Sequence, residues 1–115
     1  MNFTGPDEQL LNHATLNDLR EAVGNSFAIL MDAFTLEIDQ RITSIKAAEG
    51  VSTIKHEAHA IKGTAAAYGA ESLSALAGSI EETCDSGSMI NDVLVENVTA
   101  LDLTWQQTKR ALAQL

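Results

Sequence analysis

Basic residues, proline, cysteine and long apolar runs are all scarce in this chain. There are 7 Lys and Arg against 16 Asp and Glu, a net charge of −9 over 115 residues. Phosphate backbones and anionic membrane surfaces are bound by clustered cations, so this balance argues against both. The single proline, Pro6, precedes all of the periodic sequence, which leaves long helices uninterrupted. The single cysteine, Cys84, excludes an internal disulfide, and its place on an apolar helical face marks it as a buried small side chain. No apolar run is long enough to span a bilayer, and MNFTGPDEQ has neither the basic start nor the apolar stretch of a secretory signal. A cytoplasmic address without membrane insertion is the expectation.

What is present is helical period. Apolar residues recur at alternating steps of three and four, and no alternating strand pattern competes with them. A short helix is expected over about 15–23, with Thr15 and Asp18 placed as a capping box and Gly24 as its stop; residues 7–13 could add a turn or two before it. A long helix opens at Asn25 or Ser26, presents Phe27, Leu30, Phe34, Ile38, Ile42 and Ile45, and ends before Gly50. The next carries Val51, Ile54, Ala58, Ile61, Ala65 and Tyr68 and stops at Gly69. A further helix runs from about Glu71 to Asp85-Ser86-Gly87. The last starts near Ile90 and bears a heptad-like stripe that includes Leu94, Leu101 and Trp105 and is broken by Thr108. Short loops make sequence neighbours antiparallel. The predicted fold is therefore all-α: one domain over 1–115, an up-down four-helix bundle over about 25–115, with a short extra N-terminal helix. A complete bundle closes its own core, so a monomer is expected.

One helix departs from simple amphipathicity. At about 100° per residue, the core stripe of 51–69 occupies a third of the circumference, and His59 points about 130° away from its centre. Lys55, His56, Lys62 and Gly63 lie three or four positions from His59, a small basic patch on an acidic body. Gly63 is in mid-helix, where it costs about 1 kcal/mol relative to alanine. A glycine there gives another surface close access to the imidazole, and Ala65, Ala66 and Ala67 continue the low relief. Lys62 can hold an anion at the ring by a charge-assisted hydrogen bond. A cation beside the ring also favours the neutral, nucleophilic imidazole. An exposed nucleophile, a cation and a cleared approach suit transfer of an anionic group from a macromolecule. His56 lacks the lysine and glycine at +3 and +4 and reads as surface, as does His13. The Glu-x-x-His spacing of di-metal bundles is absent, since Thr53 stands three before His56, so no metal is assigned.

The run Ala58-His59-Ala60-Ile61-Lys62-Gly63-Thr64-Ala65-Ala66-Ala67-Tyr68-Gly69-Ala70 resembles the signature of histidine-containing phosphotransfer (HPt) domains, the intermediate carriers of multistep phosphorelays. The match is carried by His59, Lys62, Gly63, Thr64, Ala65, Tyr68 and Gly69. The resemblance implies that His59 accepts a phosphoryl group from an aspartyl phosphate of a response-regulator receiver domain and passes it to another receiver aspartate, the partners being response-regulator receiver domains, a hybrid sensor histidine kinase, or both. It implies that Lys62 holds the phosphoryl oxygens and Gly63 clears room for the receiver; Gly69 of the motif, and Ala66 from its place on the wheel, are assigned to the binding surface. It further implies no ATP site and no cofactor of the chain's own, the Mg²⁺ being the receiver's. Lys55 does not come from the motif; its place on the wheel makes it a secondary electrostatic contributor. Two other functions fit the same residues: the phosphoryl-carrying N-terminal domain of a chemotaxis-type histidine kinase, and a helical interaction module without chemistry. The chain ends with its last helix and carries no linker, which is the expectation for a free-standing carrier.

Overall fold

The computed structural model describes residues 10–87 and 89–115, all of whose regular elements are helices. The first, α1, is His13–Val23. It starts two residues before the predicted capping box, because the Asn12 side chain accepts the Thr15 backbone N–H at 3.0 Å and takes the N-cap position. Leu10 is helical, and residues 7–9 of the turn expected ahead of α1 lie outside the described residues. Gly24, at φ +56°, ends α1 and opens a 3₁₀ turn, Gly24–Ser26, which runs straight into α2, Phe27–Lys46. Then follow α3, Val51–Ala67; α4, Glu71–Ser86; and α5, Asp92–Leu112. The α5 start is fixed by Asn91, whose side chain accepts the Leu94 N–H at 2.9 Å.

Cross-helix contacts give the chain direction of each helix. Arg41 on α2 pairs with Glu57 on α3, and Thr64, further along α3, reaches back to Glu37. On α5, Trp105 and Lys109 meet Asp39 of α2, whereas the earlier Asp102 meets Lys46 further along α2. Both pairs of helices are thus antiparallel, and α3 with α4 forms the most extensive pair. The result is the up-down bundle that the period predicts.

The core is one cluster fed by every bundle helix: Phe34, Ile38, Ile42 and Ile45 from α2, Ile54, Ala58, Ile61 and Ala65 from α3, Leu73, Ala77 and Ile80 from α4, Leu94, Leu101 and Trp105 from α5. Phe34 stacks on Tyr68 at 4.6 Å and meets Trp105 edge-on at 5.6 Å, so these three aromatics are packing residues. Thr108 is fully buried rather than a gap in the stripe; its hydroxyl donates to the Thr104 carbonyl at 2.7 Å and is thereby satisfied. Cys84 is buried, and desolvation pushes its thiol pKa up. A second cluster, Leu10, Leu11 and Leu16, seats α1 on Phe27, Met31, Ala111 and Leu112 at one end of the bundle. No helix among the described residues is long and apolar enough to cross a membrane.

Candidate functional site

The three residues between α3 and α4 make a tight reversal. Tyr68 closes α3, Gly69 turns the chain at φ +76°, and Ala70 N–H returns to the Ala65 carbonyl at 2.8 Å. Ala70 is the midpoint of the pairing that follows. Lys55 meets Asp85, each fifteen residues from Ala70. His59 meets Glu81, each eleven away. Lys62 lies opposite Gly78, each eight away. The turn therefore fixes which residues of α4 can reach the outward face of α3.

His59 is on that outward face with its side chain 68% exposed, as the helical wheel requires. Its Nδ1 lies 2.7 Å from Glu81 Oε2. The other carboxylate oxygen, Oε1, takes the Lys62 ammonium at 2.8 Å. Glu81 is only 17% exposed, so one half-sunken carboxylate bridges the two residues that the sequence singles out. Hydrogen bonds first from Lys62 and then from His59 lower the Glu81 pKa, which keeps it ionised and purely an acceptor. The ring proton of a neutral His59 then belongs on Nδ1, and Nε2 keeps its lone pair for chemistry.

Glu81 is the member of this cluster that the sequence does not single out. It corrects the electrostatic picture as well. The basic patch of Lys55 and Lys62 is not a free positive field, because Asp85 and Glu81 of α4 neutralise it charge for charge and raise both lysine pKa values. The cation beside His59 likewise does not act on the ring unopposed.

The remaining predicted positions divide in two. Gly63 is exposed one turn beyond His59, and a Cβ added there would meet nothing within 4 Å, so the interior makes no demand for glycine at this position. Ala66 is exposed, beside Ser74 and Ala75 of α4 in a shallow hollow. Gly69 is buried beneath α1: its carbonyl accepts the Asn12 N–H at 2.7 Å, and a Cβ on it would stand 3.0 Å from the Asn12 carbonyl oxygen. Lys55 borders the same hollow as His56 and His59, and both His56 and His13 are exposed.

The chain has counterparts among known proteins. The family model described as the Hpt domain matches residues 8–115. The crystal structure of histidine-containing phosphotransfer protein B (HptB) from Pseudomonas aeruginosa PAO1 superposes with a TM-score of 0.84 at 22% identity, covering 90% of this chain and 91% of that one. At that identity the likeness speaks for the fold. No curated protein sequence matches. With the family model spanning nearly the whole chain, bundle and exposed histidine together, the chain belongs to the Hpt domain family, the phosphotransfer intermediates of phosphorelays.

Proposed function

We propose that His59 is the phosphoacceptor and that its Nε2 carries the phosphoryl group between receiver aspartates. The observation that supports this reading is the Glu81 carboxylate on Nδ1 at 2.7 Å, which leaves Nε2 of an exposed ring as the nucleophile. In the forward step the Nε2 lone pair forms the N–P bond while the P–O bond to the receiver aspartate breaks, releasing its carboxylate. The Nδ1 proton stays in place. The positive charge that develops on the ring is met by Glu81, already positioned, so little reorganisation accompanies transfer. The second transfer breaks the N–P bond toward another receiver aspartate and restores the starting ring. Lys62 takes the phosphoryl oxygens as its ammonium turns from Glu81 toward the new anion, and Gly63 and Ala66 give the receiver its close approach. The Mg²⁺ that completes in-line geometry belongs to the receiver, so this chain supplies positioning and charge. It acts as a monomer and takes no phosphate from ATP directly.

The test is phosphotransfer from a phosphorylated receiver domain, read as acid-labile, alkali-stable label. The wild type is expected to take up label and His59→Gln to take up none. Label that persists in His59→Gln would overturn the assignment.

A further inference from the structure

α4 carries a glycine in its interior that the turn geometry does not explain. Gly78 lies in the middle of Glu71–Ser86, and positive φ among the glycines is confined to Gly24 and Gly69 in the described residues. A mid-helix glycine costs about 1 kcal/mol relative to alanine, through backbone freedom lost on folding. What a side chain at this position would meet is a single group. A Cβ built on Gly78 would stand 3.3 Å from Lys62 Cδ and, among the described residues, within 4 Å of nothing else outside its own helix.

Lys62 is in fact held by three α4 residues on one stripe, at positions i, i+4 and i+7. Ser74 Oγ donates to the Lys62 carbonyl at 2.9 Å. Gly78 offers bare backbone to the aliphatic stem. Glu81 Oε1 receives the ammonium at 2.8 Å. The main chain, stem and head of Lys62 thus run along α4 in order. A lysine stem otherwise carries large rotamer freedom, and its head would sample solvent.

We propose that Gly78 is the positioning residue for Lys62: the missing Cβ lets the stem lie flat along α4, which brings the ammonium to Glu81 beside His59. This rests on the reading of His59 and Lys62 given above. A methyl group at 78 lifts the stem by a few tenths of an ångström, and a branched side chain blocks its path. The cost to the helix runs the other way, because both alanine and valine are better helix formers than glycine.

The experiment uses the full chain as wild type, Gly78→Ala, Gly78→Val, Lys62→Ala and the double variant Gly78→Val/Lys62→Ala. Each is labelled from one phosphorylated receiver domain, and its melting temperature is measured. Lys62→Ala is expected to slow uptake on the order of tenfold, the loss of one charge-assisted hydrogen bond. Gly78→Val should approach that rate, Gly78→Ala should fall between, and the double variant should be no slower than Lys62→Ala, since two changes acting through one group are not additive. Gly78→Ala should melt at or above the wild-type temperature. Wild-type rates in both Gly78 variants beside a slow Lys62→Ala would overturn the role of Gly78 alone. So would a double variant slowed by the product of the single effects. A full rate in Lys62→Ala, or no label on His59 in the wild type, would overturn the underlying reading and the proposal with it. If Gly78→Val does not fold, Gly78→Ala decides: a slower rate in a protein of equal or higher stability supports the proposal, and an unchanged rate removes it.

Discussion

His59 and Glu81 lie on different helices, eleven residues either side of Ala70, and meet at 2.7 Å. On the proposed reading, their contact selects the ring nitrogen that reacts. Glu81→Gln keeps an acceptor oxygen for the Nδ1 proton but removes the charge that holds Lys62; Glu81→Leu removes both. The expected order of label uptake is wild type, then Gln, then Leu, with Leu slower by roughly tenfold, the equivalent of about 1.4 kcal/mol for a hydrogen bond to a charged group. Nitrogen spectra of the His59 ring at alkaline pH check the cause: Nδ1 should carry the proton in wild type and lose that preference in Glu81→Leu. An unchanged tautomer and rate in Glu81→Leu would mean that Glu81 does not select the nitrogen. The Glu81 pKa is lowered, by Lys62 first and His59 second, so the contact is complete at neutral pH and is lost only as pH falls below the ordinary carboxylate range.

Much of this was legible in the sequence, and the gaps have a physical reason. A helical wheel describes one helix in isolation, so it correctly turned His59 outward and placed Ile54, Ala58, Ile61 and Ala65 in the core. It contains no information about which residue of the next helix lies opposite. That information was in the turn: a three-residue reversal centred near Ala70 pairs positions equidistant from it, which matches His59 with Glu81 and Lys55 with Asp85. Gly78 escaped for the same reason, since its neighbour is on another helix. The α1 start was misplaced because Asn12 competes with Thr15 for the cap, and its contact with the buried Gly69 turn favours Asn12.

Gly63 separates docking from chemistry. Nothing lies within 4 Å of an added Cβ, so Gly63→Ala is expected to stabilise the isolated protein by about 1 kcal/mol through helix propensity. Gly63→Gln should fold equally well yet obstruct a receiver. Labelling with phosphoramidate, a small phosphodonor, should proceed in both variants at the wild-type rate, while labelling from a receiver should fall with side-chain size. Equal losses with both donors would show that Gly63 acts on the ring and not on the approach.

Asp39 joins α2 to α5 through one oxygen, which accepts from the Trp105 indole at 2.7 Å and from Lys109 at 3.0 Å. Asp39→Ala leaves a buried indole N–H unpaired and is expected to cost about 1–3 kcal/mol in chemical denaturation. Burial raises the Asp39 pKa, but the hydrogen bonds from Trp105 and Lys109 outweigh it, and the net shift is downward. A depressed carboxylate contributes stability that is full above its unfolded pKa, about 3.9, and is lost as pH falls through the folded value. Wild type should therefore lose stability below about pH 4 more steeply than Asp39→Asn, which keeps the acceptor without the charge. Parallel curves would remove Asp39 from the acid response.

The Gly69 turn sets the register that brings His59 to Glu81, so its tolerance can be predicted separately from the chemistry. Gly69 has φ +76°, and an added Cβ would stand 3.0 Å from the Asn12 carbonyl oxygen and 3.3 Å from Leu16 Cγ. Gly24 also has positive φ, at +56°, but nothing lies within 4 Å of its Cβ position. Alanine at either site incurs backbone strain of about 1–3 kcal/mol. Only at Gly69 does a tight contact with backbone add to it, and relieving that contact means lifting α1 away from the Asn12 hydrogen bond at 2.7 Å. Gly69→Ala should therefore melt lower than Gly24→Ala, by several degrees, with amide exchange accelerated along α1. Below its melting temperature it should still label from phosphoramidate, because the α3–α4 pairing at His59 is carried by Ile61, Ala65, Leu73 and Ala77 in the core, none of which touches α1 in the second apolar cluster. Equal melting of the two variants would show that backbone strain alone governs the turn, and that the seat of α1 on Gly69 contributes nothing to it.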